Sequence, residues 1–269
     1  MATDLTSTDA QVPAPAVQHA APAPKSSAPH RWRFFFIYGT LAAILGLAIA
    51  GVVVYAGRSI HPAAKWSAWQ PSGGGLGAAK QIAQHVGGTY HLPAGQQLVD
   101  VIAQPPLAMV DAKNQAPIQF VALRGLKGVV DSVVPIDSSN TVTYSLCGGG
   151  AGCSIATGTA SADRFTLLRR EVLELSLYTF KYVAGVDNVV AFTPPTLKQQ
   201  SVAIFLQRND LSEELKHPLT DTLNPKVPVS TISPQEQEAI DLTTQSREYA
   251  FKLLPGQQGN VILSLQRIA

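Results

Sequence analysis

Hydrophobic positions are distributed very unevenly along the chain, and the first 33 residues hold almost no large apolar side chains. This segment is built mainly from Ala, Pro, Ser, Thr and Gln. A segment of this composition cannot bury enough apolar surface to offset the entropy that is lost on ordering. We therefore predict a disordered tail at residues 1–33.

The next segment, residues 34–56, has the opposite pattern, because it carries no charge and twelve of its 23 residues are Leu, Ile, Val or Phe. As an α-helix it would span about 35 Å, which exceeds a hydrocarbon core of about 30 Å. The twelve large residues contribute roughly −4 to −7 kcal/mol to membrane insertion. We predict one transmembrane helix here. A buried helix of a soluble protein and a cleaved signal peptide are the alternatives, although the run is longer than either requires.

Residues 57–77 are rich in Pro, Gly, Ser and Trp, and this composition predicts a tether. Residues 78–269 then alternate helical spacing with short β-branched runs, which predicts an α+β domain, with a mixed α/β fold as the alternative. A division into two lobes near residue 208 is a further alternative. The predicted helices are 78–86, 162–184, 210–216 and one that begins at 233; the predicted strands are 97–103, 118–123, 141–146, 188–192, 202–207, and a hairpin of 247–254 with 260–268.

Small residues recur every four positions inside the predicted span, at Ala42, Gly46 and Ala50. A ridge of this kind lets a second helix approach closely. The ridge predicts self-association or pairing with a partner helix. The general abundance of Ala and Gly in the chain is the alternative explanation.

The two cysteines of the chain, Cys147 and Cys153, are separated by a glycine-rich spacer. A disulfide between them would close a short loop and, in the chain-entropy model, contribute about 2.4 kcal/mol. Such a bond persists in an oxidising compartment. Three basic residues before the span and two after it favour the same orientation, with the N-terminus cytoplasmic and the domain extracytoplasmic. Two reduced thiols remain the alternative.

Charge gives no indication of a nucleic-acid partner, since the net charge is +2 and no extended basic face is evident. Arg164, Arg169 and Arg170 form a local cluster, which we interpret as a solvated helix end, with an anion-binding site as the alternative. Glu171 and Glu174 share one side of the same predicted helix. Arg170 stands four residues before Glu174, so we interpret Arg170 and Glu174 as a plain salt bridge.

No catalytic, nucleotide-binding or calcium-binding motif occurs in the sequence, and we expect no cofactor. His85, His91 and Asp100 are weak candidates for a three-ligand metal site. Zinc sites normally show closer or richer ligand sets, so surface histidines are the simpler interpretation.

These patterns together predict a membrane-anchored extracytoplasmic protein that is a non-enzymatic accessory or scaffold of the bacterial cell envelope. The expected partners are the lipid bilayer and either another protein or a second copy of the chain. A tethered ligand-binding module or an enzyme, with a site assembled from distant residues, is the alternative.

Overall fold

The computed structural model describes residues 30–57, 65–109, 115–125, 132–150, 153–155, 161–195, 201–228 and 232–268. The chain divides into two compact units, Met1–His61 and Pro62–Ala269. The predicted tail lies outside the described residues except for its last four, which belong to a helix.

Helix α1 comprises His30–Gly57 and is the described part of the first unit. Its segment Trp32–Val52 has 21 residues, a mean hydropathy of 2.2 and no buried part. Arg33 is its only charged residue, and the absence of charge from Phe34 onward explains both the high hydropathy and the lack of a polar face. One N-terminal helix is therefore long and apolar enough to cross a membrane.

The second unit mixes helices and strands, so the predicted mixture is confirmed. The helices are α2 (Gly75–Gly87), α3 (Ala162–Tyr182), α4 (Leu219–Thr222) and α5 (Pro234–Thr244), with 3₁₀ turns at Arg208–Leu211 and Gln245–Arg247. The strands are β1 (Asp100–Gln104), β2 (Leu107–Met109), β3 (Gln115–Arg124), β4 (Val133–Asp137), β5 (Thr141–Cys147), β6 (Asn188–Phe192), β7 (Ala203–Gln207), β8 (Glu248–Pro255) and β9 (Val261–Arg267).

The strands form one nine-stranded sheet in the order β1-β5-β6-β7-β8-β9-β3-β2, with β4 also paired to β3. The β5/β6 and β3/β9 pairs are parallel, and the others are antiparallel. Although β1 and β2 are at opposite ends of this order, only Pro105 and Pro106 separate them in sequence. Three peptide units span at most about 11 Å. The sheet must therefore curl until its ends approach each other, which gives a near-barrel.

Alternating residues of the strands face two different cores. On β6, Val189 and Ala191 belong to the larger core, which α2, α3 and residues of the C-terminal half cover. Val190 faces the other way, into a smaller core within the curl of the sheet. That smaller core consists of Ala108, Ala116, Ile118, Val121, Val190, Ala203, Phe205, Tyr249, Val261, Leu263 and Leu265.

Helix α3 is buried on several faces because it packs against α2, α5, β6 and β7. It begins after Ser161, whose side chain accepts a hydrogen bond of 3.2 Å from the backbone N–H of Arg164. Leu167, Leu173 and Leu177 are all buried, since a helix between a sheet and other helices needs more than one apolar face.

Several elements differ from the predictions. Strands β2 and β4 were not predicted: β2 has only three residues, and the exposed residues of β4 lack alternation. The predicted helix at 210–216 is instead a 3₁₀ turn, Arg208–Leu211, followed by further turns. Asp210 accepts the backbone N–H of Gln207, which tightens this segment at its start. No division occurs near residue 208, because β7 pairs with β8 in the same sheet.

Candidate functional site

Residues 65–74, here called the strap, fold back along α2. The Gln81 side chain accepts the backbone N–H of Ser72 at 2.8 Å and donates to the Ser72 carbonyl at 3.0 Å. Further along, the Trp69 ring stacks on His85 with 3.9 Å between centroids and 12° between planes. Gly75, at φ +58°, makes the turn from the strap into the helix, a backbone conformation that favours glycine.

The first aromatic residue of the strap, Trp66, lies in the core. It is 9% exposed and meets Tyr178 and Tyr182 edge-on at 5.5 and 5.6 Å. Its carbonyl accepts the N–H of Leu219 at 2.7 Å, and the Lys181 ammonium lies 5.5 Å from its ring centroid. We call Trp66, Trp69, His85, Tyr178 and Tyr182 the aromatic clamp.

The clamp changes the interpretation of residues 57–77, which were predicted to form a tether. Residues 58–64 lie outside the described part, but from Trp66 onward the chain packs on α2 and α3. The sequence reading missed this because Pro, Gly and Ser dominate the segment, while the two tryptophans supply the burial. Burial also lowers the pKa of His85, so the neutral imidazole that stacks on Trp69 is favoured.

A second cluster, the charge hub, surrounds the guanidinium of Arg170, which is a buried residue. Arg170 donates from Nε to Glu236 Oε1 at 2.8 Å, from Nη1 to Glu174 Oε2 at 3.2 Å, and from Nη2 to the Asn224 carbonyl at 2.6 Å. It also donates to the hydroxyl of Tyr90, which in turn donates to Glu174 Oε2 at 2.7 Å. Each of these side chains is thus hydrogen-bonded, and Tyr90, Arg170 and Glu236 are buried while Glu174 is partly exposed.

The hub connects α3 to three other segments: Tyr90, which follows α2, the loop at Asn224, and the first turn of α5. Glu236 contributes twice, because Oε1 also accepts the backbone N–H of Asn224 at 2.9 Å. The predicted solvated helix end at Arg169 and Arg170 is therefore wrong. The Arg170–Glu174 salt bridge does form, but inside the core.

Arg169 makes a similar connection beside the hub. Its guanidinium pairs with Asp241 of α5 and lies 3.6 Å from Glu248 Oε1 of β8. Adjacent arginines on α3 thus both point into protein, because carboxylates from distant segments surround them. Local spacing carries no information about those carboxylates.

Glu171 is the unusual member of this region. Its side chain is fully buried, and neither carboxyl oxygen has a hydrogen-bond partner among the described residues. Burial raises its pKa well above the ordinary value, and the neighbouring Glu174 adds to the rise. The protonated, neutral form is favoured, which limits the cost of leaving this group in an apolar environment.

The three candidate metal ligands make separate contacts. His85 is in the clamp, exposed His91 contacts the Thr89 carbonyl through Nδ1 at 3.2 Å, and Asp100 is at the exposed start of β1. Within the described ranges, no group of three His, Cys, Asp or Glu side chains is placed to hold a metal ion. The structure therefore does not bring His85, His91 and Asp100 together.

Cys147 and Cys153 lie at disulfide distance, with 2.10 Å between their Sγ atoms, as predicted. The backbone N–H of Gly148 donates to the Cys153 carbonyl at 2.8 Å, so the loop doubles back on itself. A Cβ at Gly148 would lie 2.1 Å from the Ser154 carbonyl oxygen. Glycine is needed here for a close backbone approach, and not only for the flexibility that the sequence suggested.

The predicted ridge of Ala42, Gly46 and Ala50 lies on the exposed surface of α1. A Cβ built at Gly46 meets no atom within 4 Å. Whether a second helix covers this ridge stays a prediction.

Comparison of the chain with protein-family models, curated proteins and solved structures found no match. Function must therefore be inferred from the chain's own residues. Tyr90, Arg170 and Glu236 of the charge hub are buried, whereas Trp69, His85 and α1 reach the surface. Contacts with other molecules are accordingly expected at Trp69, His85 and α1.

Proposed function

We propose that this protein is a single-pass membrane protein that positions a non-enzymatic accessory domain on the extracytoplasmic side of the bacterial cell envelope, as a scaffold for protein contacts. The observation that carries this proposal is Trp32–Val52, an apolar helix of 21 residues with no part buried in protein. In water these apolar side chains would be exposed. In a bilayer, lipid chains would surround them, and the helix would make its backbone hydrogen bonds within itself.

The orientation is supported by two independent features. Basic residues are slightly more numerous before the apolar segment than after it. The Cys147–Cys153 pair at disulfide distance suits an oxidising compartment. Both features favour placing the domain outside the cytoplasm.

The scaffold role is supported by the packing of the domain interior. Apolar side chains such as Val190, Phe205 and Leu263 occupy the inside of the curled sheet. The charge hub and the aromatic clamp hold the surrounding segments in place. These features favour a rigid body that works through its outer surface.

Purification of the tagged full-length protein from its native membrane in mild detergent, followed by mass spectrometry, tests the scaffold role. We expect a stoichiometric partner that is lost when residues 34–56 are replaced by an unrelated span of equal length. A protein that is purified alone would contradict the scaffold role and favour the alternative, a tethered ligand-binding module or enzyme.

Labelling of intact cells with a membrane-impermeant maleimide tests the orientation. Ser26→Cys reports the tail and Gln70→Cys reports the strap. We expect labelling at position 70 only. Labelling at position 26 alone would show the opposite orientation.

A further inference from the structure

We propose that the domain binds an extended segment of another protein, which adds as a β-strand between the free edges of β1 and β4. These two edges together are here called the seam. The inference deepens the proposed function and rests on it, because it names the kind of segment that the scaffold domain contacts. It uses residues of the second unit alone, Pro62–Ala269.

The sheet topology brings the ends of β1 and β4 to the same place. Strands β2 and β4 lie along one edge of β3, because β9 occupies the other edge over residues 120–124. Leu107 of β2 lies opposite Pro117, and Asp137 of β4 lies opposite Phe120, only about 10 Å further along β3. Two residues join β1 to β2, so β1 ends close to the end of β4. Within the described ranges, β1 and β4 are nevertheless not paired with each other.

The direction of the backbone hydrogen bonds identifies the groups that β1 presents to the seam. Asn188 of β6 donates its N–H to the Asn140 carbonyl at 3.1 Å, so even-numbered residues of β5 face β6 and odd-numbered residues face β1. The β1 residues opposite these odd positions are Asp100, Ile102 and Gln104. The N–H and C=O groups of Val101 and Ala103 therefore point to the free edge, without a backbone partner in the described part of the chain.

Strand β4 presents a weaker edge. Gly125 donates its N–H to the Ser132 carbonyl at 3.4 Å, so the even-numbered residues of β4 bond to β3. Val133, Pro135 and Asp137 consequently face the seam. Pro135 has no N–H to donate, and proline on an edge hinders pairing with another strand. An added strand would therefore make most of its backbone hydrogen bonds to β1.

The inner side of the seam is apolar and uncovered. Ile102 points to the inside of the curled sheet, because its neighbours Val101 and Ala103 pack in the larger core. Val134 points the same way, since it lies opposite Leu123, which packs against the smaller core. Ile102 and Val134 are nevertheless both 54% exposed. The margin of the smaller core thus lacks a cover at the seam, and an added strand would supply one.

These features define the occupant. A strand that enters between β1 and β4 needs both of its own edges free, which favours an extended segment over a strand that is already paired in a folded sheet. Its backbone would pair with Val101 and Ala103, and every second side chain would be apolar in order to cover Ile102 and Val134. Main-chain hydrogen bonds provide the affinity in this mode of recognition, and alternate side chains provide the specificity.

Charge favours a basic residue at one end of the segment. Hydrogen bonds from the Ser139 side chain and backbone lower the pKa of exposed Asp137, so this carboxylate at the end of β4 is ionised at neutral pH. Neither β1 nor β4 contains a Lys or Arg. At the opposite end of the seam, Asp100 and Arg124 carry opposite charges. A Lys or Arg of the segment is therefore favoured next to Asp137.

Peptide binding to the full-length protein in detergent tests the proposal. The probe is a pool of synthetic nonapeptides with Val, Ile or Leu at alternate positions, Thr or Ser between them, and Lys at one end. A second pool has the same sequences with N-methyl groups on alternate backbone nitrogens, which prevents strand pairing and keeps the side chains. Mass spectrometry identifies the peptides that the immobilised protein retains.

We expect the first pool to be retained and the N-methylated pool to be lost. Ile102→Gln should lower retention several-fold, because it removes the apolar surface that the segment covers. Leu242→Gln makes the same kind of change at an exposed leucine of α5 and is the matched control, with retention equal to wild type. Equal retention of both pools, retention of neither pool, or retention that Ile102→Gln leaves unchanged would overturn the proposal.

Purification from the native membrane separates failure of the seam from failure of the proposed function. If a stoichiometric partner stays bound to the Ile102→Gln variant, the scaffold role stands and the seam is wrong. If the wild type is a dimer that Ile102→Gln converts to a monomer, the seam binds a second copy, and the proposed segment of another protein is wrong. A protein that is purified alone contradicts the scaffold role itself.

Discussion

The Nε atom of Arg170 donates a hydrogen bond of 2.8 Å to Oε1 of Glu236, a residue 66 positions later in the chain. The two side chains are 1% and 7% exposed. The pair therefore joins α3 to the first turn of α5 without access to water. Removing one partner of a buried ion pair is costly, because the other charge stays buried.

Arg170→Met should lower the free energy of unfolding by about 3–5 kcal/mol, because Glu174 and Glu236 lose their shared cation. Lys216→Met is the matched control, since it removes an exposed ion pair with Glu213. Denaturant unfolding in detergent, followed by circular dichroism, measures both. Equal midpoints for the two variants would show that the hub contributes no stability.

Glu171 should make stability depend on pH. Because its folded pKa is raised, the folded state keeps a proton that the unfolded state releases above about pH 4.3. The free energy of unfolding therefore falls as pH rises from that value toward the folded pKa. Glu171→Gln removes this contribution, so the variant should be the more stable protein, by a margin that grows from pH 5 to pH 8. Glu174 affects both proteins alike, and a margin that does not change with pH would refute the role of Glu171.

Trp66→Ala should release the strap and expose it to protease. Truncation of a buried tryptophan costs about 3–5 kcal/mol. The indole Nε1 of Trp66 has no hydrogen-bond partner among the residues that the structure describes, so Trp66→Phe should retain most of the packing. Limited trypsin digestion should cleave after Lys65 faster in the alanine variant than in wild type, with the phenylalanine variant close to wild type. Equal cleavage in all three would mean that Trp66 does not hold the strap.

The cysteine pair predicts that the denatured, unreduced protein reacts with no maleimide. Replacing both residues by serine should lower the free energy of unfolding by about 2.4 kcal/mol. Reducing agent should shift the unfolding midpoint of the wild type and leave the double variant unchanged. Two labelled cysteines per unreduced chain would disprove the bond in the native protein.

Gly46→Leu should lower association between copies or with a partner helix, because a large side chain fills the ridge. Ala48→Leu adds the same bulk on roughly the opposite face of α1 and serves as the control. Energy transfer between labelled proteins in liposomes measures self-association. An unchanged signal for Gly46→Leu would make the ridge incidental.

Local signals in the sequence predicted most individual elements. The Ser233 side chain accepts the N–H of Glu236 at the start of α5, where Ser-Pro-Gln-Glu predicted a helix start. The β8/β9 hairpin and α3 could also be predicted from the sequence, because each depends on the spacing of a few neighbouring residues. Such features depend on residues that are close together in the sequence.

The arrangement of the elements and the interior charges was not predictable in the same way. Arg170 finds Asn224, Glu236 and Tyr90 at separations of 54, 66 and 80 residues. No periodicity reports such pairings, and an isolated arginine cluster therefore resembled a solvated surface. The curl of the sheet could not be predicted from the sequence either. It depends on the strand order, in which β1 and β2 are at opposite ends although only two prolines separate them.

The position of β9 has a consequence for how the protein is made. This strand lies between β8 and β3, and its Leu263 pairs with Val121, which the ribosome delivers far earlier. Closing so long a loop is slow, because its entropy is lost before any contact compensates. Until β9 has been synthesised, β3 lacks its parallel neighbour, and the smaller core lacks Val261, Leu263 and Leu265. The complete sheet can therefore form only after β9 has left the ribosome.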